Sequence, residues 1–335
     1  MSIRSQARRY CVNGTLLQAV CSTKMATYLD SRFRMLPSEG ESVGEGVRLR
    51  FYAVIDPSRH EVNRPQGEGR PFYEMPSGEA CYFEETDELY LSYRDGVRAL
   101  YKPRSNRVLV STVESVLENL FVASHLVLTI LLVEILRRRD WYSVHAAGFS
   151  ENGRAILIPG TSGSGKSTLS VALLRANFDY LSDDMVFLAR HPEGLRVRGL
   201  VEDVDVSDQT IRFFPELDFL LRSPQMSGYL KRQVHPEEVY RTKVVAEARP
   251  KAIVLPRVSG DAGSVITSIE SDEALLEIVP NVLLTEVHTC QGHLAVLAEL
   301  VTQTACYRLD MGRDFDDIPA LLRGLLSCDQ EKICA

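Results

Sequence analysis

Gly160, Gly165, Lys166 and Ser167 stand in the spacing G-x-x-x-x-G-K-S, over Gly160-Thr161-Ser162-Gly163-Ser164-Gly165-Lys166-Ser167. This is a phosphate-binding P-loop pattern. Its glycines let the backbone curl without Cβ clashes. Successive N–H groups then converge on phosphate oxygens. A helix opening at Lys166, with Thr168 in its first turn, adds its positive dipole end. In such a loop the lysine reaches the β- and γ-phosphates and the Ser167 hydroxyl binds Mg²⁺.

A second group follows at Ser182-Asp183-Asp184, with Asp183 sixteen residues after Ser167. Adjacent carboxylates beside a polyphosphate are costly unless they share a metal or a proton. One on Mg²⁺ and one on a nucleophile's proton would resolve that cost. A solvated turn is the alternative, since Asp is a common turn residue. A cationic stretch comes later, with Lys231, Arg232, Arg241, Lys243 and Arg249. Phosphoryl transfer needs cations where the γ-phosphate oxygens spread their charge. The alternative is an exposed loop with ordinary surface charge.

The elements that must position these groups are readable as short apolar runs. Ala155–Ile158 predicts a buried strand before the loop, and Leu169–Leu174 supplies the helix after it. Further strands are expected at 178–181, 185–189, 252–255 and 306–309. Helices are expected at 271–286, 293–304 and 318–326. Residues 1–112 look β-rich, with strands at 47–54, 80–83, 89–93 and 107–110 and a Pro/Gly/Arg-rich loop over 63–78. Residues 117–136 predict a buried helix interrupted by Glu118, His125 and Glu134, too short in its apolar part to span a bilayer. Arg137, Arg138 and Arg139 follow, where cations suit a helix end.

Composition limits the classes of function. The chain has 335 residues, 45% apolar and 25% charged, as in ordinary globular proteins. A net charge of −7 gives no general attraction to nucleic acid or anionic membranes. The seven cysteines include no C-x-x-C pair, so neither a zinc site nor a redox pair is indicated. An odd count of scattered thiols and no secretory pattern predict a cytoplasmic location.

Three features occur in order: His145 within Val144-His145-Ala146-Ala147-Gly148, the P-loop at 160–167, and Ser182-Asp183-Asp184. Together they resemble the catalytic domain of HPr kinase/phosphorylase and its relatives, over about residues 140–330. The resemblance implies an α/β P-loop kinase of the HPr kinase and phosphoenolpyruvate carboxykinase-like type, behind a β-rich N-terminal domain. The domains would be 1–112 (acceptor recognition or oligomer contacts), a connecting helix at 113–140, and the catalytic domain at 141–330.

It further implies transfer of the γ-phosphate of ATP, with Mg²⁺, to a serine hydroxyl of a protein or peptide. By position, Asp183 would be the base at the acceptor hydroxyl, Asp184 would help hold Mg²⁺, and His145 would lie near the transferred phosphate. Without the resemblance, His145 on an apolar strand is better explained as a structural histidine. The family's metal-serving Glu is replaced here, with Arg196 near its place in Arg196-Val197-Arg198-Gly199-Leu200. Glu202, Asp203 and Asp205 are the nearby substitutes. A small-molecule kinase and a non-catalytic nucleotide-binding regulator remain alternatives.

Overall fold

The computed structural model describes residues 5–34, 46–54, 62–73, 78–94, 96–113, 128–161, 163–222, 231–282, 285 and 287–327. For 51–54, 287 and 288 only the backbone is described. The chain divides into two compact units. The first comprises Met1–Arg139, Met226–Tyr229 and Leu283–Gln291. The second comprises Asp140–Gln225, Leu230–Val282 and Gly292–Ala335.

The first unit is built on an eight-stranded mixed sheet. Strands β1 (Ser5–Val12) and β2 (Thr15–Ser22) form a hairpin, followed by helix α1 (Thr23–Arg32). Asn13 and Gly14, both at positive φ, make the two-residue turn whose twist suits a hairpin. Strands β3 (Val47–Val54), β4 (Arg70–Pro71), β5 (Gly78–Phe83), β6 (Glu88–Tyr93), β7 (Val97–Lys102) and β8 (Arg107–Val113) complete the sheet. Its order is β1-β2-β3-β8-β7-β6-β5-β4, with β3 parallel to both neighbours.

Helix α2 (Thr129–Arg137) is buried, as expected for this part of 117–136. Residues 117–127 of that expected helix lie outside the described residues. Arg137 is not a solvated cap: it is 1% exposed and bonded to Glu134 and Thr285. A buried guanidinium needs such a carboxylate, because an unpaired buried charge is far more costly than a paired one.

The second unit is α/β around a mixed sheet. Its strands are β9 (Tyr142–Glu151), β10 (Arg154–Pro159), β11 (Asp179–Ser182), β12 (Met185–His191) and β13 (Gly194–Gly199), with helix α3 (Lys166–Arg175) between β10 and β11. A short ribbon follows: β14 (Val204–Val206), α4 (Asp208–Ile211), a 3₁₀ segment (Pro215–Arg222), β15 (Arg232–Val234) and α5 (Pro236–Val239). The rest is β16 (Arg249–Val258), β17 (Val265–Ser268), α6 (Ser271–Ile278), the part of α7 (Val287–Gln303) from Gly292 onward, β18 (Ala305–Met311) and α8 (Ile318–Ser327). The sheet order is β13-β12-β9-β10-β16-β18-β17, with β10, β16 and β18 parallel.

Alternation along the strands divides the core between two faces. Val144, Leu157, Ile253 and Leu255 pack with Ala274, Ile278, Val296 and Leu300 of α6 and α7. The intervening residues Phe149, Ile156 and Ile158 are equally buried on the opposite face. The helix expected at 271–286 stops as an α-helix at Ile278 and passes into a 3₁₀ turn holding Pro280. Proline lacks the N–H that would continue the ladder.

The end of β13 lies hard against β11. A Cβ on Gly199 would stand 1.8 Å from the Leu181 carbonyl oxygen, a backbone atom that cannot swing aside. Gly199→Ala is therefore expected to cost at least about 2 kcal/mol. Gly324→Ala in α8, where a new Cβ meets nothing within 4 Å, should instead stabilise by about 0.5–1 kcal/mol. Thermal denaturation of the two variants beside wild type checks both signs.

Candidate functional site

Strand register assembles the site. β11 and β12 both pair with β9 along the same edge, Ser182 with Gly148 and Met185 with His145. Between them Asp183 and Asp184 form a bend, opposite Ala147 and Ala146 but outside either ladder. On the other edge of β9, Ala146 pairs with Pro159, the last residue of β10. One step further brings Gly160 alongside His145. The loop and the Asp pair therefore flank the same three residues of β9, His145 to Ala147. Neighbouring strands lie about 5 Å apart, so side chains can bridge the gap.

The glycine loop joins β10 to α3 as the sequence requires. Gly163 (φ 87°) and Gly165 (φ 98°) take left-handed conformations that suit glycine. A Cβ on Gly165 would also meet Met311 Cε at 2.4 Å. The Ser164 hydroxyl is buried without a hydrogen-bond partner among the described residues, and a Cβ on Gly160 would stand 2.6 Å from it. Thr161 O accepts from Ser164 N–H across the turn. Ser167 and Thr168 occupy the first turn of α3. Ser162 lies outside the described residues.

Lys166, His145 and Asp184 meet at the mouth of this loop. Lys166 Nζ lies 2.8 Å from His145 Nε2, and His145 Nδ1 lies 3.2 Å from Asp184 Oδ1. Lys166 Nζ and Asp184 Oδ1 are 3.9 Å apart. One protonation pattern satisfies all three groups: the ammonium donates to Nε2, and Nδ1–H donates to the carboxylate. The Lys166 side chain is only 11% exposed. Burial pushes its pKa down from the usual lysine range, opposed by the charges of Asp184 and Asp183, with Lys231 adding to the downward push. Lys231 is thus electrostatically felt at the site.

The two aspartates differ sharply. Asp183 is 4% exposed, with Oδ1 accepting from Ser170 Oγ at 2.8 Å and Oδ2 from the Asp205 N–H at 3.2 Å. Burial raises its pKa, partly offset by the Ser170 hydrogen bond and the Lys166 charge. Asp184 is 49% exposed. The acceptor-base role assigned to Asp183 by position therefore does not suit its setting, because both of its oxygens face the interior. Asp184 is the more exposed carboxylate of the two.

The basic residues scatter. Arg249 pairs with Arg154 at the start of β10, about 20 Å along the strand from the loop, and bonds Glu193. It is not at the site. Arg232 is held by Asp208 and the Leu220 carbonyl. Lys243 offers its carbonyl to Tyr180 N–H, and Arg241 sits exposed at φ 52° after α5. Arg196 pairs with Glu193 and Glu247 on the β12–β13 hairpin. Among the substitutes for the missing Glu, Asp205 reaches the site through its backbone and Asp203 bonds His235. Glu202 lends its carbonyl to the Tyr180 hydroxyl.

Ser170 and Thr210 were not expected to take part. Ser170 holds Asp183, and Thr210 Oγ1 lies 3.2 Å from Thr168 Oγ1. The available signal for Ser170 is a hydroxyl set within the apolar run of α3, between Leu169 and Val171.

The oxygen donors here, the Ser167 hydroxyl and the Asp184 carboxylate, suit Mg²⁺, which typically takes one or two carboxylates and completes its shell with phosphate and water. Among the described residues no three His, Cys, Asp or Glu side chains converge on a metal point. No helix among the described residues is long and apolar enough to cross a membrane.

No protein-family model and no curated protein matches the chain. The solved structure of the HPr(Ser) kinase/phosphatase from Coxiella burnetii bears a distant structural resemblance, at 12% identity and a TM-score of 0.27. It spans 55% of this chain and 93% of that one. A likeness at this score carries no conclusion about activity.

Asp183 gives a pH prediction. Because its folded-state pKa is raised, the folded protein holds that proton more tightly than the unfolded chain. Its contribution to stability falls as pH rises above the ordinary carboxylate range. Asp183→Asn can keep both bonds if its amide donates to Ser170 Oγ and its oxygen accepts from Asp205 N–H. Its thermal midpoint should exceed wild type at pH 7, with the gap closing below about pH 4. A lower midpoint at pH 7 would mean that the charge is worth more than its burial costs.

Proposed function

We infer that the second unit is a phosphotransferase of the HPr kinase type, moving the γ-phosphate of ATP to a serine hydroxyl of a peptide or protein. The observation that carries this reading is the convergence of Lys166, His145 and Asp184 at the mouth of a glycine loop. A phosphate-binding lysine beside a half-exposed carboxylate is what in-line transfer to a hydroxyl requires.

The chain's residues then take these roles. The backbone N–H groups of 160–167 and the start of α3 hold the β- and γ-phosphates. Lys166 turns from His145 to the phosphate oxygens and meets the charge that grows there. The acceptor oxygen forms a bond to Pγ as the bond from Pγ to the bridging oxygen breaks, and the electron pair leaves with ADP. The acceptor proton passes to Asp184, with His145 holding that carboxylate in place. Asp183, fixed by Ser170 and Asp205, supports the bend and adds negative charge beneath the metal side. Mg²⁺ on Ser167 and Asp184 would neutralise phosphate charge when bound.

Sharing Asp184 between metal and proton has a consequence. Asp184→Asn removes both tasks, and turnover should fall by at least about a thousandfold, the scale of losing a general base together with a charge partner. Lys166→Ala should reduce transfer by a similar or larger factor. Asp183→Asn should bind nucleotide and lose less activity than Asp184→Asn. Mass spectrometry of serine peptides after incubation with Mg²⁺-ATP, with nucleotide binding measured in parallel, checks the order. Equal activity in Asp184→Asn and wild type would remove the base from this scheme.

A further inference from the structure

Beside α3 the second unit carries a cleft of about 420 Å³. Glu216, Phe219 and Leu220 of the 3₁₀ segment line one part, and Gln233, His235 and Glu238 of the β15–α5 stretch line the other. The cleft is tied to the candidate site at two points. Gln233 faces Asp205 across the β14–β15 ladder, and Asp205 N–H holds Asp183. At the far end Arg175, in the last turn of α3, lies 3.6 Å from Glu216. The nine-residue step from Lys166 to Arg175 is about 13 Å of helix.

Two independent properties point to an occupant. Phe219 is 50% exposed, and Phe213 and Leu221 within the same nine residues are also exposed large apolar side chains. Of these three, Phe219 lines the cleft and offers it an exposed ring. The charge of the cleft is acidic. Glu238 is exposed and makes no ion pair among the described residues. Glu216 is engaged by the Tyr240 hydroxyl as well as by Arg175, and His235 is bonded to Asp203. An aromatic face next to a carboxylate suits a cation on an apolar stem, with the ring taking the stem or the charge and the carboxylate taking the head group.

We propose that this cleft binds an arginine or lysine side chain of the acceptor peptide and so selects acceptors that carry a basic residue near the serine. This rests on the peptide-kinase reading above. An extended chain covers about 3.3 Å per residue, so a basic residue four positions from the serine tests a reach of about 13 Å.

The test uses two capped, fluorescently labelled nonapeptides with a central serine. One carries arginine at both ends and the other norleucine. Binding to the full chain is read by anisotropy, and phosphate incorporation with Mg²⁺-ATP by mass spectrometry. The arginine peptide should bind at least about tenfold more tightly. Glu238→Gln and Phe219→Ser, both at exposed positions, should each erase at least about fivefold of that preference while nucleotide binding is unchanged. Equal binding of the two peptides, an unaltered preference in Glu238→Gln, or displacement of the arginine peptide by AMP would overturn the proposal. Arginine-selective binding without phosphate on either peptide would overturn the kinase reading and keep the cation site.

Discussion

A broken ladder on one strand is the constraint on which the site depends. After a one-residue shift at Leu181, Ser182 and Met185 hold the same register on β9 on either side of the bend, and Asp183 and Asp184 leave the ladder between them. The interruption frees two consecutive carboxylates beside the strand that also flanks the glycine loop. A continuous ladder would send alternate side chains to opposite faces of the sheet and fix both in packed surroundings. The bend lets one carboxylate turn inward to Ser170 while the other stays half-exposed beside His145. Gly148 and Gly199 permit the bend from below, since a Cβ on either would crowd Leu181 or Val186.

Electrostatics follow from that geometry. Lys166 is nearly buried, so its charge is costly unless answered. His145 and Asp184 answer it here, and a phosphate would answer it more strongly. Asp183 carries the opposite cost, with burial raising its pKa against a hydroxyl and a backbone N–H that favour the charge. The pair is thus pushed apart in character, one carboxylate interior and supported, the other open. Functional sites commonly hold such locally unfavourable groups at the expense of stability.

Much of this was legible in the sequence where the signal is local. The glycine loop, the apolar strand before it and the helix after it are adjacent in the chain, and their order is set by spacing. Strands β3, β5, β6, β8, β16 and β18 also fall on visible β-branched or aromatic runs. The hairpin of β1 and β2 was hidden because arginine and glutamine fill alternate, partly exposed positions of β1. The inward and outward turns of Asp183 and Asp184 depend on pairing with β9, some thirty-five residues away, which no local pattern records. The cationic residues misled for the same reason. Lys231 and Arg249 are close in sequence, yet Lys231 acts on Lys166 while Arg249 sits at the opposite end of the parallel strands.

The central claim is that Lys166 exchanges its histidine and aspartate partners for phosphate. A crystal structure with Mg²⁺ and a non-hydrolysable ATP analogue tests it most directly. The account predicts phosphate oxygens on the backbone N–H groups of 160–167, Lys166 Nζ on a terminal phosphate oxygen, and the His145 Nε2 contact broken. A triphosphate bound elsewhere, or bound in the loop with Lys166 still on His145, would contradict it.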